Sequence, residues 1–137
     1  MHKYVHKVQY YETDKMGITH HSNYIRWMEE ARVSFLESIG LDYPTLEKRG
    51  VISPVIGVSC KYKKPTYFND DITIEVSIKE YSGIKLIFNY DMKNKDGVVV
   101  LTGESEHCFI SKEGHIVIPK TLYPDIDEVI QRNVESK

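Results

Sequence analysis

The sequence predicts an α+β domain, one long amphipathic helix near the N-terminus followed by an antiparallel meander. Three observations lead there. Apolar residues between Ser22 and Ile39 recur at spacings of three, four and seven, which is one face of a helix. From Ile56 onward apolar and polar residues alternate, the period of half-buried strands. The strand-like runs from Ile72 onward are joined by short turns, and a parallel pair would need a long crossover, so these neighbours are antiparallel.

In chain order, Tyr4 to Tyr11 reads as the first strand, with Val5, Val8, Tyr10 and Tyr11 as its β-formers. Glu12-Thr13-Asp14-Lys15-Met16-Gly17 breaks it with a tight loop, because Asp and Gly favour turns. The helix runs from about Ser22 to Ile39, with Tyr24, Ile25, Met28, Ala31, Phe35, Leu36 and Ile39 on its apolar face. Ser22 or Asn23 is expected to cap it, since a short polar side chain accepts from free first-turn N–H groups. Arg26 and Glu30 are expected to pair on the solvated side, and Gly40 to stop the helix. Such a helix is about 27 Å long. Ile56, Val58, Cys60 and Tyr62 form the next alternating face, ended by Pro65. Ile72, Ile74, Val76 and Ile78 follow, then a Ser82-Gly83 turn, then Leu86, Phe88, Tyr90 and Met92. Asn94-Lys95-Asp96-Gly97 is a hairpin signal. Val99, Leu101, Gly103, Ser105, His107 and Phe109 share one side of a long strand, and Ile116-Val117-Ile118 is a short last one. Pro124 to Lys137 reads as a short tail helix through Ile126, Val129 and Ile130. The helix covers the apolar face of the sheet in a two-layer arrangement, and an open sheet edge invites pairing with a second copy.

The 137 residues are 41% hydrophobic and 28% charged, ordinary values that exclude a disordered chain. With no repeat or linker, residues 1–137 are expected to form one domain with a tail from about 120 to 137. No apolar run approaches the ~18 residues needed to span a bilayer. Met1 to Gln9 has no apolar core of a secretory signal, and the two cysteines, Cys60 and Cys108, read as reduced thiols, so a cytoplasmic protein is expected. Eighteen Lys+Arg against twenty Asp+Glu give a net charge of −2, without the broad basic footprint of a nucleic-acid binder. Lys61, Lys63 and Lys64 are the one short basic cluster, enough for an anionic ligand.

The informative stretch is Tyr10 to Arg32. Asp14 lies in a loop just before a helix start, and Gly17 lets that loop bend sharply. The first helical turn offers unpaired N–H groups and a partial positive charge. Together these can act on an acyl carbonyl: the helix end binds the developing oxyanion and the carboxylate attacks or activates water. Read locally, Asp14 also fits an ordinary turn aspartate.

The pattern Asp14-x-x-Gly17-x-x-x-His21-x-x-Tyr24, with Glu29 and Arg32 beyond it, resembles the signature of hotdog-fold acyl-CoA thioesterases, the group of 4-hydroxybenzoyl-CoA thioesterase and the Tol–Pal-associated enzymes. Lys64-Pro65-Thr66-Tyr67-Phe68-Asn69-Asp70-Asp71 is similar to that family's Arg-Pro-x-x-x-x-Asp segment, with Lys64 in place of arginine. The resemblance implies a hotdog fold, a long central helix wrapped by a curved antiparallel sheet of five to six strands. It implies hydrolysis of acyl-CoA to free acid and CoA, with no cofactor or metal. By position it implies Asp14 as the catalytic carboxylate and His21 as the residue whose backbone N–H, and in some relatives ring, polarises the carbonyl. Tyr10 then lines the catalytic site, and Gly17, Tyr24 and Lys64 meet the substrate. It also implies a homodimer or homotetramer with each site at the subunit interface.

Other residues carry two readings. For His21 a capping or packing role competes with a catalytic one. His20-His21 lacks metal-ligand spacing. His107 reads as a core or interface histidine, Glu29 and Arg32 as a solvated or interface ion pair, and the lysines as a solvated edge or a phosphate contact. Trp27 and Tyr62 read as packing residues or as walls of an acyl pocket. Two competing functions stand beside hydrolysis. One is a non-catalytic acyl-CoA sensing module, against which Asp14 argues. The other is a hotdog hydratase or dehydratase, whose His/acid arrangement is absent from the sequence.

Overall fold

The computed structural model describes residues 1–135. Strand β1 (His2–Lys7) leads through a single 3₁₀ turn (Tyr10–Glu12) and a loop into helix α1 (Ser22–Ser38). A short helix α2 (Tyr43–Lys48) follows, then β2 (Val55–Tyr62), β3 (Asp71–Tyr81), β4 (Leu86–Lys93) and β5 (Val99–His107). Two helices, α3 (Pro119–Leu122) and α4 (Pro124–Arg132), close the described chain. The five strands form one antiparallel sheet in the order β1-β3-β4-β5-β2.

The expected helix and the turns at Ser82-Gly83 and Asn94-Gly97 are present, and Gly40, at φ +82°, ends α1 as expected. Several local expectations are corrected. The first strand stops at Lys7, opposite Asp71 where β3 begins, and Tyr10 and Tyr11 leave the sheet in the 3₁₀ turn. Strand β2 lies beside β5 rather than β3, because the loop from Lys63 to Asp70 crosses the end of the sheet. Ile116 makes a single bridge to Ile110, and no strand follows among the described residues. Ile25 faces solvent: the buried stripe of α1 is Tyr24, Trp27, Met28, Ala31, Arg32, Phe35 and Leu36, with Asn23 at its start. The α2 turn was not foreseen; Asp42 caps it by accepting the Thr45 N–H. The tail helix is present as α4, with Ile126 and Ile130 buried, and Ser136 and Lys137 lie outside the described residues.

The core sits between α1 and the inner sheet face. Ile72, Ile74, Val76 and Ile78 of β3 and Leu86, Phe88, Tyr90 and Met92 of β4 are all buried there. Each such side chain contributes about 1.5–3 kcal/mol. At the level of Met92 the inner face runs Tyr4, Ile74, Met92, Leu101, Tyr62, and one step along it runs Val76, Tyr90, Gly103, Cys60. The end of β2 at Cys60 and Tyr62 therefore faces α1.

Candidate active site

The site grows from the stretch between the 3₁₀ turn and α1. Glu12 is its anchor. The residue is 4% exposed, and its carboxylate accepts the Trp27 indole N–H at 2.7 Å and the Gln9 N–H at 2.8 Å, with His6 Nε2 at 2.8 Å. The other ring nitrogen of His6 meets Glu30 Oε1 at 2.9 Å, and the ring stacks on Trp27. Burial alone would raise the Glu12 carboxyl, but the hydrogen bonds from Gln9, His6 and Trp27 outweigh it and hold the group below the ordinary range. The Glu12 carbonyl accepts the His20 N–H at 2.8 Å and the Asn23 side-chain amide at 3.0 Å, which fixes where α1 begins.

Between these anchors the chain makes a tight loop. The Asp14 N–H donates to the Ile18 carbonyl and the Gly17 N–H to the Asp14 carbonyl. Gly17 adopts φ +80°, a conformation that glycine tolerates without strain. Asp14 is half-buried, and its Oδ1 accepts the Met16 N–H at 2.8 Å. The loop's far end is bolted to the segment after β2: the Thr19 N–H donates to the Thr66 carbonyl, and the Thr19 and Thr66 hydroxyls pair at 2.6 Å. The Tyr24 hydroxyl adds a third member at 3.0 Å from the Thr66 hydroxyl. Burial pushes the Tyr24 hydroxyl up, so it stays protonated.

A cavity of about 400 Å³ opens at this point. Asp14, His21, Tyr24 and Lys64 all line it, joined by Ile18, Tyr62 and Lys63. Gly17 shapes the loop without lining the cavity. Tyr10 is 76% exposed and lies edge-on to Phe68, outside the lining of the single chain. No acceptor among the described residues takes the His21 N–H, so it remains available at the helix start. Neither Ser22 nor Asn23 caps the helix. His21 occupies that place with helical backbone, because the Glu12 carbonyl draws the chain into the helix early; Ser22 bonds His20 Nδ1 at 2.9 Å instead. The His21 ring stacks on His20 and approaches Tyr62 edge-on.

Other expectations are settled by burial. Arg32 is 7% exposed and pairs with no carboxylate among the described residues. It donates to the Tyr43 and Tyr90 hydroxyls, each at 3.1 Å, so the expected pairing with Glu29 is absent. Glu30 turns to Tyr4 and His6 rather than to Arg26. His107 is a core histidine, bonded to Ser105 at 2.8 Å; burial, helped by the nearby Arg32 charge, lowers it to about 4. Trp27 is a packing residue, while Tyr62 lines the cavity. Sequence reasoning missed the Thr19–Thr66 pairing and the Glu12 anchor. Glu12 stood in plain view two residues before Asp14, but its partners lie on β1 and α1. Among the described residues no group of three His, Cys, Asp or Glu side chains could hold a metal ion, and no helix is long and apolar enough to cross a membrane.

A curved antiparallel sheet around one long helix, with an acid-bearing loop at the helix start, is the hotdog architecture. A sequence profile of the thioesterase-like superfamily matches residues 8–134, and the chain belongs to that family of thioester hydrolases. It is 35% identical over 120 residues to YneP of Bacillus subtilis, 87% of each chain, a protein that carries a provisional acyl-CoA thioesterase name. It is 24% identical to the acyl-CoA thioester hydrolase YbgC of Escherichia coli over 72% of this chain and 73% of that one. The structure of the DHNA-CoA thioesterase from Staphylococcus aureus superposes with a TM-score of 0.91 at 29% identity, over 95% of this chain and 88% of that one.

Proposed function

We propose that this chain is an acyl-CoA thioesterase that releases free acid and CoA, acting as one domain over residues 1–137. The observation that carries the reading is that Asp14 and His21, whose N–H finds no acceptor among the described residues, line one cavity. The amide, at the positive end of α1, takes the carbonyl oxygen as it becomes negative. Asp14 either deprotonates a water that attacks the carbonyl carbon or attacks that carbon itself. In both routes CoA leaves as the thiolate, and in the second the aspartyl–acyl anhydride is then hydrolysed by water to free acid and Asp14. With Oδ1 held by the Met16 N–H, Oδ2 is the oxygen left for chemistry. Gly17 lets the loop carry Asp14 to the cavity, Tyr24 walls it, and Tyr10 reaches the site only through the assembly. Lys64, with Lys63, stands at the rim where the CoA phosphates leave.

A second copy is part of this reading. Edge strand β2 exposes Val55, Ile56, Val58 and Tyr62, an apolar edge that antiparallel pairing with its counterpart would cover. The two free cysteines fit a reducing compartment, so we place the enzyme in the cytoplasm.

The test is a panel of acyl-CoAs assayed for thiol release, with Asp14→Asn as control. Losing the carboxylate should lower kcat by about 10³-fold or more while the protein stays folded. An Asn variant at full activity would remove Asp14 from the mechanism. Single-turnover hydrolysis in ¹⁸O water separates attack by Asp14, which places label in the protein, from attack by water.

A further inference from the structure

We infer that the acyl pocket is closed at its inner end by Tyr24 and Tyr62, backed by a Met28–Cys60 sulfur contact, and that the enzyme selects compact acyl groups over long chains. The inference rests on the thioesterase reading for the direction in which substrate lies. With the carbonyl between Asp14 and the His21 N–H, the rest of the cavity lining divides into a charged side and a largely apolar side. The rim carries Lys63 and Lys64 and suits the phosphates of CoA. The apolar side is Ile18, buried Tyr24 and half-exposed Tyr62, and suits the acyl group.

A long chain would have to continue inward between α1 and β2, and that path is filled. The Tyr24 and Tyr62 rings stand 5.6 Å apart across it. One helical turn further along α1 is Met28, and two residues back along β2 is Cys60. Their sulfurs touch at 3.7 Å, and Met28 is 1% exposed. Opposite Cys60 on β5 stands Gly103. A Cβ there would lie 2.9 Å from the Ser59 carbonyl oxygen, closer than backbone allows, and would already be in contact with the Met28 methyl at 3.4 Å and the Cys60 sulfur at 3.6 Å. The position therefore takes glycine, and the layer behind the tyrosines is close-packed. Helix, edge strand and the adjoining strand thus meet in close contact behind the tyrosine pair.

The experiment measures binding and turnover separately. Calorimetry with uncleavable S-alkyl-CoA thioethers, ethyl to dodecyl, reads pocket depth without chemistry. Affinity should rise about fourfold per buried methylene and level off before octyl. In Tyr62→Ala, a change on a half-exposed side chain, the break should move outward by two methylenes or more, about 15-fold in affinity for the longer ligands. Met28→Ala in that background should move it further, and kcat/KM ratios of long to short acyl-CoAs should follow the same order. A wild-type series that keeps rising to dodecyl, or a break that stays put in folded Tyr62→Ala, overturns the proposal. If Met28→Ala does not fold, Tyr62→Ala alone decides it. Loss of the thioesterase reading shows differently, as normal thioether binding with no thiol release from any acyl-CoA.

Discussion

Replacing Glu12 by glutamine keeps the volume and removes one acceptor and the charge. Glu12 Oε1 serves the Gln9 N–H and His6, and Oε2 serves the Trp27 indole. The backbone and indole N–H groups are obligate donors, and a glutamine amide offers one oxygen. Placed at the Oε1 position, that oxygen leaves its NH2 facing the Trp27 N–H; placed at Oε2, it leaves the NH2 facing the Gln9 N–H. Either rotamer strands a buried donor, at about 1–3 kcal/mol, and loses the charge assistance of the remaining bonds, so about 2–4 kcal/mol in total is expected. Against a typical stability of about 5–15 kcal/mol this is a large fraction. At a urea m-value of about 1–3 kcal/mol/M, the midpoint should fall by about 1–2 M. Trp27, the sole tryptophan, reports the transition by fluorescence from the perturbed cluster itself. The pH dependence supplies a second check. Because the folded state holds the Glu12 carboxyl below its ordinary value of 4.5, its contribution is present above that pH and is lost as pH falls through the lowered value. The glutamine has nothing to lose there, so the gap between the two proteins should narrow in acid. Equal midpoints at pH 7, or a gap that does not change in acid, would refute the assignment of Glu12 as the anchor of the site loop.

Three other outcomes are expected. His107, lowered from 6.5 to about 4, takes up a proton less readily when folded, so stability should fall as pH drops from 6.5, by about 3 kcal/mol at pH 4; His107→Gln, followed by urea titration at several pH values, should lose that slope. Tyr90→Phe removes the hydroxyl between Arg32 and Ser105, leaves a buried guanidinium with one partner fewer, and should cost about 1–3 kcal/mol by the same measurement. Val58→Lys puts a charge on the apolar edge of β2 and should shift the assembly toward monomer in analytical ultracentrifugation; an unchanged mass would move the interface elsewhere.

Much of this was legible because it is local. The helix periodicity located α1 to within a residue of its end, and alternation with turn residues located β3, β4 and β5. The Asp14–Gly17 loop and its place before a helix could likewise be read from spacing. What spacing cannot carry is pairing between distant segments. Nothing in Val55–Tyr62 says that it lies beside β5, and nothing in Thr66 says that it will hold Thr19 and Tyr24. Arg32 was misread for the same reason. Its charge suggests solvent, and only the Tyr43 and Tyr90 hydroxyls, supplied by α2 and β4, make its burial tolerable.

The way the site loop is held bears on how chemistry and selectivity divide. Its entry is fixed by the Glu12 cluster, which draws on β1 and α1, and its exit by the Thr19–Thr66 pair. Neither anchor involves Tyr62, Cys60 or Gly103, which close the inner pocket from β2 and β5. Buried networks without shared partners respond to mutation nearly independently. Substitutions at the β2 wall should therefore change which acyl group fits while leaving the approach of Asp14 to the carbonyl intact. Substitutions in the Glu12 cluster should lower turnover of every substrate alike. Tyr24 is the exception that tests this division: its ring walls the pocket while its hydroxyl bonds Thr66, so Tyr24→Phe should affect turnover more than acyl preference, and Tyr24→Ala should affect both.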